Sequence, residues 1–143
     1  LKDRWGTMDF LIHAIAYSDK NELTGRFINT TRGNFTNSLS ISCFSFIDVS
    51  RRAAELMPDG GSLITLTYAG SNRVTPNYNV MGGARAPFRH TEANSPMRQN
   101  ATLEAIGGTA VWLCSDYGNC TSGEVVHVDC GYHVLGMPQQ ENL

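Results

Sequence analysis

No stretch of this 143-residue chain approaches the ~18 consecutive apolar positions that a membrane-crossing helix needs, so no membrane partner is expected. The opening "LKDRWGTMDF" has no secretion-signal pattern and no initiator Met. It reads as the tail of a helix, which predicts that the sequence begins inside a longer fold. Charge is short of both signs, with 11 Lys and Arg against 13 Asp and Glu and no long run of either. That argues against a nucleic-acid partner. The four cysteines, Cys43, Cys114, Cys120 and Cys130, form no Cys-x-x-Cys pair. Reduced thiols in a cytoplasmic protein are therefore expected. Four Asn-x-Ser/Thr triplets, at Asn29, Asn34, Asn100 and Asn119, would suit a secreted glycoprotein. With 11 Asn and 23 Ser and Thr in the chain, however, about two such triplets arise by chance. There is no internal repeat and no linker-like break, so residues 1–143 are expected to form a single domain.

What the chain does contain is alternation of strand-like and helix-like stretches. "MDFLIHAIAY" (8–17) is a short, nearly unbroken apolar run, as in a strand buried on both faces of a parallel sheet. From Thr30 to Met57 there is no proline, and the only glycine is Gly33. Phe35, Leu39, Cys43, Phe46, Ala53 and Met57 recur there at roughly helical spacing, which predicts a buried stripe. Thr30 or Thr31 can cap that helix, and "PDGG" (58–61) can stop it. "SLITLTY" (62–68) is rich in β-formers. Strand, helix, strand is a crossover unit of a parallel sheet. Further on, 88–100 reads as a polar loop, 102–115 as a helix with Ile106, Ala110 and Leu113 inward, and 124–130 as a third strand. The fold expected is α/β, with about three parallel strands (8–16, 62–68, 124–130) and flanking helices.

The stretch "TYAGSNRVTPNYNVMGGAR" (67–85) carries the chemical question. Tyr68 and Tyr78 are ten residues apart, and Arg85 follows seven beyond the second. A phenol can donate to a developing oxyanion, and a nearby cation lowers its pKa and grips a polar cofactor. Ordinary surface tyrosines in a turn would read the same way. Tyr68, however, stands at the carboxyl end of a predicted strand, the edge at which open α/β sheets bind ligands. His127, Cys130 and His133 have a metal-like spacing, but residues three apart on a strand point to opposite faces, so no metal is expected. His13, among apolar neighbours, is expected to be a hydrogen-bonded core residue. Trp5 and Trp112 are expected to pack.

Several stretches resemble the NADH-dependent enoyl-acyl-carrier-protein reductases, a branch of the short-chain dehydrogenase/reductase superfamily. They are "WGTMDFLIHAIAYSDKNELTGRF" (5–27), "GGSLITLTYAG" with "NYNVMG" (60–82), "NSPMRQNATLEAIGG" (94–108) and "SGEVVHVDCGYHVLGM" (122–137). The tyrosine pair, with a basic residue seven beyond the second tyrosine, is characteristic of this branch. Superfamily members acting on carbonyl substrates have a spacing of four. The resemblance implies a Rossmann-like doubly wound fold, NAD as cofactor, and acyl-carrier-protein thioesters as substrates. It implies Tyr78 as the catalytic tyrosine and Tyr68 as a second active-site tyrosine against the acyl group. Ile15 falls on a position that contacts NAD, and Ser18 on one that contacts substrate. Arg85 stands where the family has the lysine that holds the nicotinamide ribose.

Measured against that family, the chain shows no strand and glycine-rich phosphate loop before residue 8, and several dozen residues are missing between Ala86 and Phe88. Two expectations follow. The 143 residues alone are expected to bind NADH weakly, because the phosphate-binding helix N-terminus is not among them. The apolar strand at 8–16, lacking a neighbour, is expected to leave an exposed face and drive self-association or homo-oligomer formation. The alternative to an active reductase is a non-catalytic remnant of the fold.

Overall fold

The computed structural model describes residues 1–67 and 88–135. These belong to two compact units, Leu1–Ala84 and Arg85–Leu143. The first unit opens with a single turn, α1 (Lys2–Trp5), closed by Gly6 at φ 76, where the left-handed backbone favours glycine. The apolar run then becomes β1 (Phe10–His13). A polar loop with two short 3₁₀ turns leads to α2 (Arg32–Leu39). A π-helical turn (Ser40–Phe44) carries α2 directly into α3 (Ser45–Ala54), and β2 (Ser62–Thr65) follows.

The crossover forms as expected. β1 and β2 are parallel, with Phe10 opposite Ser62, Leu11 opposite Leu63, Ile12 opposite Ile64 and His13 opposite Thr65. The Ser62 N–H donates to the Asp9 carbonyl at 3.0 Å and the Leu66 N–H to the His13 carbonyl at 3.0 Å, extending the ladder at both ends. Thr31 is the cap: its hydroxyl accepts from the Asn34 N–H at 3.2 Å. At the far end, Gly60 turns the chain at φ 90, with its N–H on the Met57 carbonyl. Gly61 allows the close approach that starts β2. A Cβ there would lie 2.7 Å from both the Asp9 carbonyl oxygen and Met57 Sδ.

Several expectations need correction. β1 is shorter than 8–16 and is not buried on both faces: Phe10 is 48% exposed and Ile12 41%. β2 is its only strand neighbour among the described residues, so nothing else in the sheet covers it. The expected apolar stripe on the long helix is only partly inward. Phe35, Leu39 and Cys43 are exposed, and Phe46 is half-buried against the His13 ring, with centroids 5.3 Å apart. Ala53 and Met57 are buried as expected. In the amino-terminal half the buried positions are polar, Asn34 and Ser38. Trp5 does not pack and is 68% exposed.

In the second unit, α5 (Leu103–Cys114) is capped by Thr102, whose hydroxyl accepts from the Ala105 N–H at 3.1 Å. Ile106, Ala110 and Leu113 lie on its half-buried side, as expected, while Trp112 is exposed. Residues 88–100 are not a loop throughout: α4 (Phe88–Asn94) precedes the turn. Pro96 ends it, and the wholly buried Ser95 ties the turn down, accepting from the Gln99 N–H and donating to the Gln99 carbonyl. Residues 124–130 form no strand, which corrects the expected count of three to two among the described residues. A strand exists only where it finds a partner, and the second unit has no other strand among its described residues.

Candidate active site

Parallel pairing sets the carboxyl ends of β1 and β2 on one edge of the first unit's sheet. A crossover helix must start beside that edge and return to the other. The chain leaves β1 at His13 into the loop 14–19, which carries Ile15 and Ser18, two of the residues expected at the site. It leaves β2 at Thr65, three positions before Tyr68. Tyr68, Tyr78 and Arg85 lie outside the described residues.

The loop is fixed to the helix by polar side chains spaced four, four and three residues apart: Asn34, Ser38, Ser42 and Ser45. That spacing places them on one helical face. Ser45 meets the end of the strand. Its Oγ lies 2.7 Å from His13 Nε2 and donates to the Ile41 carbonyl at 2.5 Å, so the ring nitrogen is the donor to it. In the neutral imidazole Nδ1 then accepts from the Thr65 hydroxyl, 3.3 Å away. His13 is 3% exposed and, as expected, a hydrogen-bonded core residue. Ser42 brackets the backbone of Tyr17, accepting from its N–H at 2.9 Å and donating to its carbonyl at 3.2 Å. Ser42 sits within the π-helical turn, a feature frequent at functional sites because it re-aims side chains.

Asn34 holds the last part of the loop. Its Oδ1 accepts from the Asp19 N–H at 2.9 Å, the Ser18 hydroxyl at 3.3 Å and the Ser38 hydroxyl at 3.1 Å. Its Nδ2 donates to Glu22 Oε2 at 3.2 Å. Glu22 in turn accepts from the Thr31 N–H at 2.9 Å and hydroxyl at 2.8 Å. Those two bonds to Thr31, the backbone one foremost, hold the Glu22 carboxyl below its ordinary pKa. It is therefore ionised at neutral pH and can only accept. Ser18 is thus anchored, whereas Ile15 is 53% exposed. Sequence reasoning missed Asn34, Ser42, Ser45 and Glu22. The available signal was the polar repeat at helical spacing, which the apolar letters around it masked.

In the second unit the His127 and His133 rings stack, with centroids 3.9 Å apart and planes 15° apart. Asp129 organises the turn there, accepting from the N–H groups of Gly131 and His133 and pairing with His133 Nδ1 at 2.9 Å. Partial burial works to raise the Asp129 pKa, but the His133 hydrogen bonds and charge and the Gly131 N–H outweigh it and hold it low. Among the described residues no three His, Cys, Asp or Glu side chains converge as a metal site.

A family model described as Enoyl-(Acyl carrier protein) reductase matches residues 1–91 and 87–133. The chain belongs to this family. The NADH enoyl-[acyl-carrier-protein] reductase 2 of Rhizobium meliloti is 40% identical over 184 residues, covering all of this chain and 69% of that protein. Among solved structures, the enoyl-(acyl-carrier-protein) reductase of Anaplasma phagocytophilum in complex with NAD is 40% identical, with a TM-score of 0.91 over 97% of this chain and 69% of its own. FabI of Candidatus Liberibacter asiaticus is also 40% identical, with a TM-score of 0.90 over 96% of this chain and 69% of its own. The doubly wound, Rossmann-like origin of the crossover unit follows from this likeness. The Rhizobium alignment runs over 184 positions against 143 residues, so at least 41 positions of that reductase have no counterpart here. The two segments that match the reductase family meet at residues 87–91, where the shortening falls.

Proposed function

We propose that this chain is an NADH-dependent enoyl-acyl-carrier-protein reductase, which saturates the trans-2 double bond of acyl thioesters in fatty-acid elongation. The observation that carries the reading is the carboxyl edge of the β1–β2 pair. There the exposed Ile15 and the anchored Ser18 share one loop, and the chain leaves β2 toward Tyr68, in a chain 40% identical to an NADH enoyl reductase. The exposed apolar Ile15 suits the flat face of a nicotinamide ring, and the fixed Ser18 suits a substrate contact. When bound, the dinucleotide supplies hydride to the substrate's β-carbon.

The protein's own part is electrostatic. Tyr78 donates a hydrogen bond to the thioester carbonyl oxygen as negative charge develops on it. Tyr68 lies against the acyl chain, and Ser18 contacts the substrate. Ile15 packs against the cofactor. Arg85 grips the ribose hydroxyls with a planar fork in place of a compact ammonium. The exposed Phe10 and Ile12, on the face of β1 opposite the one that His13 turns to the helix, are apolar surface that a second copy of the chain would cover. Four free thiols suit a cytoplasmic setting.

The test is steady-state oxidation of NADH by the natural protein with a crotonyl thioester. Turnover that depends on the thioester is expected. No thioester-dependent consumption of NADH overturns the reading.

A further inference from the structure

Asn34 is 7% exposed and makes four hydrogen bonds with its amide, three of them at Oδ1. The orientation of that amide is forced. Glu22, ionised, has only lone pairs to offer and must face the NH₂ group, while the Asp19 N–H is only a donor and must face the oxygen. The amide therefore reads an acceptor on one side and donors on the other, and it fixes where Ser18 and Asp19 lie relative to the helix. A buried side chain with its polar groups paired is expensive to disturb, because any replacement strands at least one partner.

We infer that Asn34 is a positioning residue of the active edge: through the Ser18 hydroxyl and the Asp19 N–H it sets the loop that carries the substrate- and cofactor-facing residues. This inference rests on the reductase reading of that edge. Asn34 itself need not touch substrate or cofactor. Its action is to hold the Ser18 hydroxyl in one place before substrate arrives, so that no ordering is required during the reaction.

The decisive variant is Asn34→Asp, which keeps the shape and the acceptor at Oδ1 but turns the donor to Glu22 into a second carboxylate. Two carboxylates at that distance cannot both stay ionised in place, so the pair takes up a proton as pH falls and the original geometry returns. The experiment measures kcat/KM for a crotonyl thioester as the ratio of variant to wild-type protein across pH. Asn34→Asp is expected at roughly a tenth of wild type or less near pH 8, recovering to within about threefold near pH 5.5. Glu22→Gln combined with Asn34→Asp removes one of the two carboxylates, and its new NH₂ group meets the Thr31 N–H that donates to the same Oε2. That double variant is expected to lose the pH dependence of the ratio without regaining the full wild-type rate. It also carries the test should the single variant fold poorly. A ratio for Asn34→Asp that is flat with pH, or a double variant that keeps the pH dependence, overturns the positioning role while leaving the reductase reading intact. Wild-type protein with no thioester-dependent turnover overturns the reductase reading itself.

Discussion

Along the long helix of the first unit, the amino-terminal half (α2) buries Asn34 and Ser38, whereas the carboxyl half (α3) buries Ala53 and leads to the buried Met57. The two halves serve opposite edges of the sheet. The helix starts beside the carboxyl ends of the strands, where Asn34 and Ser42 fix the loop after β1. It ends at their amino ends, where Met8 donates to the Leu56 carbonyl and Gly61 packs against Asp9 and Met57. One edge is built from directional side-chain hydrogen bonds that set positions, the other from backbone hydrogen bonds and the buried apolar side chains of Ala53 and Met57. A single apolar stripe along the whole helix would have closed both edges alike, and would have left the loop with Ile15 and Ser18 without partners for its backbone.

That contrast can be broken by substitutions at each end. Met57→Ala should have the largest effect on stability, a loss of about 2–3 kcal/mol, read by denaturant unfolding. At temperatures where it stays folded, its kcat should be close to wild type. A large loss of kcat in folded Met57→Ala would mean that the two edges are not separable. Thr31→Ala should cost less, about 1 kcal/mol for the lost cap, and it also removes a hydroxyl from Glu22. Because Glu22 supports Asn34, Thr31→Ala should lower kcat/KM by more than its small stability loss suggests, and kinetics beside thermal unfolding would check this. If Thr31→Ala changes stability alone, the polar seam ends at Asn34.

The crossover was legible in the sequence because its signals are local. Thr31, one of the two threonines expected as the cap, caps the helix, and the glycines after Met57 turn the chain where expected. What was not legible depends on partners distant in sequence. The stretch 124–130 has strand composition but no described strand beside it in its unit, so composition did not make it one. Residues 88–94 are polar and contain no strong helix signal, yet they form α4. Ile15 and Ser18 were reached by family resemblance, and the structure places both on one loop at the carboxyl edge. Asn34 was read only as part of a chance glycosylation triplet, since nothing local reveals that Ser18, Asp19 and Glu22 converge on it.

The central claim is that this edge carries enoyl reduction with the Tyr78 phenol as the group that stabilises the oxyanion. Tyr78→Phe keeps the ring and removes only the hydroxyl. Steady-state kinetics of that variant with NADH and a crotonyl thioester test the claim most directly. A fall in kcat of about 10²–10³ is the predicted result. A rate within about twofold of wild type, roughly 0.4 kcal/mol of barrier, would contradict it.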